Sequence, residues 1–186
     1  ADDEWVVLID TKNQMEIKAH VISTATNFRG QYIEMEEALM KFAEKALFPS
    51  HGLILRPDEA STQNMYKGIT DQAPLKKYFN ALLKQFGKAF VETDMRALYN
   101  PTRMSVIQQA TERLLKKISS TCPECRAPGF DVEQVNDGLP CEWCGSPTNS
   151  ILSLTYRCRR CGYEKDLHHP QGKDKADPGT CNYCNP

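Results

Sequence analysis

Cys122-Pro123-Glu124-Cys125 opens a segment in which one device recurs three more times, as Cys141-Glu142-Trp143-Cys144, Cys158-Arg159-Arg160-Cys161 and Cys181-Asn182-Tyr183-Cys184. All eight cysteines of the 186-residue chain lie in these four pairs. Two thiolates on one tight turn fill two corners of a tetrahedron, and a second turn brought back by a hairpin fills the others. Fifteen residues separate the first two pairs and nineteen the last two, spacings that suit zinc ribbons. The segment therefore reads as two zinc sites, each held by four cysteines. Sequential pairing is the simplest connectivity and the one expected, with site one from the first two pairs and site two from the last two; interleaved pairing is the alternative that sequence alone does not exclude. Gly145 and Gly162 directly follow their pairs, where a metal knuckle calls for positive φ. Residues 130–135, 151–156 and 163–167 supply the ribbon strands. Four thiolates leave no position for water, so the zincs are structural rather than catalytic. His168 and His169 are then surface residues. The run Tyr156 to Tyr163 resembles a rubredoxin knuckle, which would hold iron, but Cys184 is followed by Asn185 where that family has glycine; zinc is favoured.

Compartment follows from the same cysteines. An extracellular disulfide framework needs an export signal, and no basic stretch followed by an apolar segment opens this sequence. The reading is a reducing cytoplasm. No run of about 18 apolar residues is present, so no transmembrane helix is expected. With 40% hydrophobic and 25% charged residues, wholesale disorder is excluded. The chain begins at Ala1, not Met, and its first apolar run starts at Trp5, so an N-terminal portion is expected to be missing.

Charge speaks to nucleic acid. From Cys122 onward there are seven Lys/Arg and nine Asp/Glu, a formal −2. Each zinc with four thiolates adds a further −2, since four negative ligands outweigh one dication. A surface that displaces counterions from phosphates should be basic. Arg157, Arg159, Arg160 and Lys165 form at most a local patch, and a nucleic-acid partner is disfavoured.

Upstream, the pattern is that of an α/β layer. Residues 5–9 read as a strand, the set Asp10-Thr11-Lys12-Asn13 as a turn, and alternating Met15, Ile17, Ala19 and Val21 as the second strand of a hairpin. Leu39, Phe42, Ala43 and Leu47 recur at helical spacing up to Pro49. Residues 52–56 read as a buried strand. Leu75, Tyr78, Phe79, Leu82 and Phe86 mark a second helix, begun near Asp71 and stopped at Gly87. Residues 89–96 read as a further strand. Asn100 caps a third helix with Pro101 at its first position, and Met104, Ile107, Thr111, Leu114 and Ile118 form its buried stripe. The fold class is thus a layered sheet-and-helix α/β domain over residues 1–121, with the boundary at Ser119-Ser120-Thr121, followed by a double zinc-ribbon-like β module over residues 122–186.

The densest polar chemistry outside the cysteines is Glu92-Thr93-Asp94-Met95-Arg96 followed by Asn100-Pro101-Thr102-Arg103. On a strand, Glu92, Asp94 and Arg96 share one face, and they are the candidate catalytic residues. The N–H groups that begin the next helix make an anion site, which Asn100, Thr102 and Arg103 extend; Arg56 and Lys67 converge on it if the strand ends gather there. A phosphorylated small molecule or nucleotide is the ligand such a site suits, with Mg²⁺ or Mn²⁺ on Glu92 and Asp94. The competing reading is structural: Asp94 pairs with a nearby arginine and Asn100 only caps its helix. No Ser/His/Asp or Cys/His arrangement and no Gly-rich phosphate loop is legible, so no reaction is named.

Several stretches resemble one uncharacterised bacterial family, domain of unknown function 6671. They are Gly52-Leu53-Ile54-Leu55-Arg56-Pro57, Lys67-Gly68-Ile69-Thr70-Asp71, Glu92-Thr93-Asp94-Met95-Arg96-Ala97, Tyr99-Asn100-Pro101-Thr102-Arg103-Met104 and the closing Cys181-Asn182-Tyr183-Cys184-Asn185-Pro186. The resemblance covers the whole chain. It implies a bacterial source and a longer N-terminus, and it supplies no established activity or site residue.

Overall fold

The computed structural model describes residues 2–25 and 27–185. β1 (Asp2–Asp10) and β2 (Met15–Ser23) pair as a two-stranded sheet. Alternation puts Ile17, Ala19 and Val21 on the covered side. Asp10 is a turn residue: its carboxylate accepts the Asn13 N–H at 3.1 Å and the Asn13 amide at 2.6 Å, as an Asx turn requires.

The second sheet contains two strands that periodicity did not reveal, β3 (Gly30–Ile33) and β5 (Tyr66–Ile69), each four residues long. With β4 (Leu53–Arg56) and β6 (Ala89–Thr93) they stand in the order β3-β6-β4-β5, every neighbour antiparallel. Since β3 and β4 both run against β6, they are parallel to each other with β6 inserted between them; β5 and β6 flank β4 in the same way. Two split β-α-β units are thus interlocked, one crossed by α1 (Glu36–Lys45) and the other by α2 (Gln72–Phe86). Leu53, Leu55, Ala89 and Val91 share a core with Leu39 and Phe42 of α1 and Leu75, Phe79 and Leu82 of α2. Both helices therefore cover one face. Ile54, Arg56, Phe90 and Glu92 point from the other. Gly87 ends α2 at φ 74°, its N–H bonded to the Leu83 carbonyl at 2.9 Å, the expected C-cap.

α3 spans Pro101–Ser119. Its buried residues are Val106, Ala110 and Leu114, while Met104 is 45% exposed; the stripe is rotated from the expected one because Met104 lies on the outer side of the first turn. Beyond it, β7 (Asp131–Asp137), β8 (Ile151–Arg157) and β9 (Glu164–His168) form an antiparallel sheet at the three places expected of ribbon strands. The chain divides into two compact units, Ala1–Val6 with His20–Thr111 and Val7–Ala19 with Glu112–Pro186, so residues of the hairpin and of α3 belong to each. Among the described residues no helix is long and apolar enough to cross a membrane.

Candidate metal centres and the polar site of the α/β layer

Three of the four cysteine pairs fold into a knuckle by the same two bonds; in the fourth the Asn185 N–H reaches the Cys181 carbonyl, but the Cys181 N–H goes to Pro178. The Cys122 N–H reaches the Ala127 carbonyl at 2.8 Å and the Arg126 N–H reaches back to the Cys122 carbonyl at 2.9 Å; Cys141 with Ser146 and Gly145, and Cys158 with Tyr163 and Gly162, repeat this pattern. The residue after the second cysteine has positive φ in all three, including Arg126 at 57°. Glycine marks two of these turns and is dispensable in the third.

The sulfurs gather as Cys122, Cys125, Cys158 and Cys161 at one centre and as Cys141, Cys144, Cys181 and Cys184 at the other, with all four ligand atoms of each within 4.8 Å of one another. The pairing is interleaved, not sequential. Sγ–Sγ separations are 3.7 Å for Cys122–Cys161, 3.6 Å for Cys125–Cys158, 3.9 Å for Cys141–Cys184 and 3.6 Å for Cys144–Cys181. A tetrahedron with metal–sulfur bonds of about 2.3 Å has edges of about 3.8 Å, so the cages fit a metal ion. Strand register explains the interleaving. Asp131 pairs with Arg157, so Cys125 before β7 and Cys158 after β8 sit at one end of the sheet. Asp137 pairs with Ile151 and Ser153 with His168, so the β7–β8 connection and the exit from β9 lie at the other end. A seven-residue strand spans roughly 23 Å, too far for the second pair to reach the first.

The chemistry of the thiols agrees with a bound cation. The Ser146 hydroxyl and N–H hold the Cys144 thiol down to about 6, while the neighbouring Cys144 sulfur pushes Cys184 up to about 12. At the first centre, burial opposes ionisation of Cys158, but the N–H groups of Cys161 and Arg160 outweigh it and bring that thiol to about 6. In each cage one thiol is lowered and another, Cys161 or Cys184, is raised, with neighbouring cysteine sulfurs among the causes of the rise. A dication at the centre opposes that rise.

Around the first centre, Ala127, Phe130, Tyr156 and Tyr163 pack on the sulfurs. Two of the four basic residues of the patch are paired with acids: Arg157 with Glu164 and Arg159 with Glu133, each at 3.4 Å.

In the α/β layer, the stretches that carry the family resemblance converge. Asp94 is fully buried. Its carboxylate accepts the Gly68 N–H at 2.9 Å, the Arg96 N–H at 3.1 Å, and the Arg96 guanidinium at 2.9 Å through Nε and 2.5 Å through Nη2. Burial would raise its pKa, but the bonds from Arg96 and Gly68 prevail and hold it below the usual carboxylate range. Arg96, half exposed, lies 4.6 Å over the Tyr99 ring. Tyr99 in turn fills the space beside two glycines: a Cβ on Gly52 would stand 2.9 Å from it and one on Gly68, at φ +66°, 2.7 Å.

The candidate residues do not form one face. β6 ends at Thr93 and the chain bends there, with the Asp94 N–H on the Gly52 carbonyl at 2.8 Å. Glu92 stays on the open face of the sheet and pairs with Arg56 at 2.9 Å; burial pushes its pKa up despite that arginine. Each carboxylate thus faces an arginine, and no cage of bare oxygens for Mg²⁺ or Mn²⁺ joins them. Among the described residues the clusters able to hold a metal are the two cysteine cages.

Nor are the first N–H groups of α3 available to an anion. That of Thr102 meets His51 Nε2 at 3.3 Å and that of Arg103 the Asn100 side-chain oxygen at 3.0 Å, while Met104 bonds the Asn100 carbonyl at 2.9 Å. Pro101 has none. Asn100, fully buried, is the N-cap. The Thr102 hydroxyl is 2.9 Å from His51 Nε2. Arg103 donates to both Glu4 oxygens and to the Met95 carbonyl at 2.6 Å. Lys67 is exposed on β5.

Sequence reasoning missed His51, Tyr99 and Glu4. His51 is buried between Ser50, 3.0 Å from Nδ1, and Thr102, and its place six residues after the end of α1 gave no signal. No curated protein and no solved structure matches the chain. A family described as a domain of unknown function (DUF6671) matches residues 1–186, the whole chain, and the protein belongs to that family.

Proposed function

We propose that this protein is a non-catalytic binding module folded around two structural zinc ions, presenting its metal-stapled sheet to a protein partner. The observation that carries the reading is that the expected reactive groups are spent on one another: Arg56 on Glu92, Arg96 and Gly68 on Asp94, His51 and Asn100 on the start of α3. A phosphorylated ligand at this place would have to displace Asp94 from Arg96 and His51 from the helix. A buried, fully bonded network of this kind fixes a fold. Zinc suits four thiolates in a closed tetrahedron, and Asn185 in place of the rubredoxin glycine favours it over iron.

A protein partner is favoured over nucleic acid by charge. The module is formally −2 before the metal–thiolate centres are counted, and two of its arginines already face glutamates. Polyanion binding needs the opposite. The purified chain is expected to hold two zincs per molecule by elemental analysis. It should show no thermal shift with nucleotides plus Mg²⁺ or Mn²⁺, and no mobility shift of single- or double-stranded oligonucleotides. A nucleotide-dependent shift that vanishes in Arg96→Ala would overturn the reading in favour of a phosphate site.

A further inference from the structure

The four knuckles offer an internal comparison. The residue before the second cysteine is Glu124, Trp143, Arg160 and Tyr183 in turn. At the first centre both knuckles carry charged residues there; at the second both carry aromatic ones, each 77% exposed. Neither Trp143 nor Tyr183 packs in a core, and a metal-held turn gives them little freedom to fold away. Two large rings kept in water on one rigid centre are the composition of a contact surface rather than of a fold.

Beside Trp143 lies a cavity of about 480 Å³ lined by Trp143, Asp177, Pro178, Gly179, Cys184 and Asn185. Its size is that of a small-ligand or side-chain pocket. Asp177 is oriented by the Gly179 N–H, which donates to Oδ1 at 2.7 Å. Among the described residues no lysine or arginine lines it. The Trp143 indole, the Asp177 carboxylate and the Cys184 sulfur, a ligand atom of the second cage, together make a lining that is apolar and, with metal bound, negative. Such a lining rejects phosphates and suits a cation lying over an aromatic ring.

We propose that this cavity, on the second metal centre, receives a cationic side chain, arginine or lysine, from the partner protein, with Trp143 as the ring beneath the charge and Asp177 as its counter-ion. The inference rests on the binding-module reading and names the chemistry of the partner's contact.

The test uses the full zinc-loaded chain and a Gly-Arg-Gly tripeptide blocked at both ends, with the citrulline analogue as the uncharged control. At millimolar concentration the arginine peptide shifts the indole N–H resonance of Trp143 and leaves that of Trp5 unmoved; citrulline binds at least about five-fold more weakly. Trp143→Ala weakens binding about ten-fold, Trp143→Phe less, and Asp177→Asn, which keeps the oxygen that caps Gly179, a few-fold. All three variants retain two zincs. Equal binding of the citrulline peptide, undiminished binding by Trp143→Ala with both zincs in place, or binding of oligothymidylate instead of the peptide, overturns the proposal. A chain that holds two zincs and ignores the arginine peptide sinks the cation site alone; a chain that responds to nucleotides through Arg96 sinks the module reading itself.

Discussion

The interleaved pairing of the cysteines makes a stoichiometric prediction that sequential pairing reverses. Replace Cys122, Cys125, Cys158 and Cys161 together by serine. In the structure these four line one cage, so the other remains whole and the chain should keep one zinc. Replace instead Cys122, Cys125, Cys141 and Cys144. Each cage then retains two ligands, and no zinc should survive a chelator. An intact structural zinc site is worth about 10–16 kcal/mol of apparent binding at neutral pH, so the two outcomes are well separated. The stability at stake can be worked from the loops. The Cys125–Cys158 contact closes 33 residues and the Cys144–Cys181 contact 37; treated as cross-links, they restrict the unfolded chain by about 3.7 and 3.8 kcal/mol. The first variant should therefore keep roughly half of the entropic stapling and the second none. Zinc counted by elemental analysis after dialysis against a moderate chelator decides it. One zinc in the second variant and none in the first would refute the register argument and restore sequential pairing.

Other consequences follow from the α/β layer. Asn100→Ala removes the cap of α3 and should cost about 1 kcal/mol, lowering the melting temperature by about 2–4 °C in a chain of this size; an unchanged melt would mean that the Asn100–Arg103 bond carries no weight. Gly68→Ala should cost more, about 2–4 kcal/mol, because it adds a left-handed alanine to a collision with Tyr99. The double variant Gly68→Ala with Tyr99→Ala should recover the collision share, as measured by denaturant titration. Burial lowers the pKa of His51, so the unfolded chain takes up a proton near the ordinary value of about 6.5 that the folded chain refuses. Its contribution to stability is present above that pH and lost as pH falls below it. Melts between pH 7.5 and 5.5 should show a shallower pH slope in His51→Gln than in the parent.

Which of these features could be read in advance depends on how local their cause is. The knuckles follow from four residues each, so their spacing announced them, and the ribbon strands between them were legible from alternation. Their partnership was not, because it is fixed by which residues of β7, β8 and β9 face each other, and sequence distance favours the wrong neighbours. The long amphipathic helices α2 and α3 were visible through Asp71, Gly87, Asn100 and Pro101, whereas β3 and β5, four residues each, are too short to carry a period. Gln31 looks like a loop residue until β6 supplies its ladder, and Lys67 and Gly68 fall in the irregularity between the two β4–β5 pairs.

The polar site shows the same division at the level of single atoms. Asp94, Arg96, Asn100 and Arg103 drew notice because their chemistry is dense, and density alone suits a phosphate site and a folding knot equally. What separates the two is whether the donors are spoken for. Gly68 offers an N–H to Asp94 at φ +66° only because Tyr99 occupies the place where a side chain would stand, and Tyr99 stands there because its own carbonyl takes the Gly52 N–H at 2.8 Å. Gly52 meets Asp94 and Tyr99, 42 and 47 residues further along the chain, and Gly68 meets Asp94, 26 residues on, so that these stretches close one network. Its closure ties the Asp94 carboxylate into the fold, whereas Trp143 and Tyr183 at the second cysteine cage stand 77% exposed.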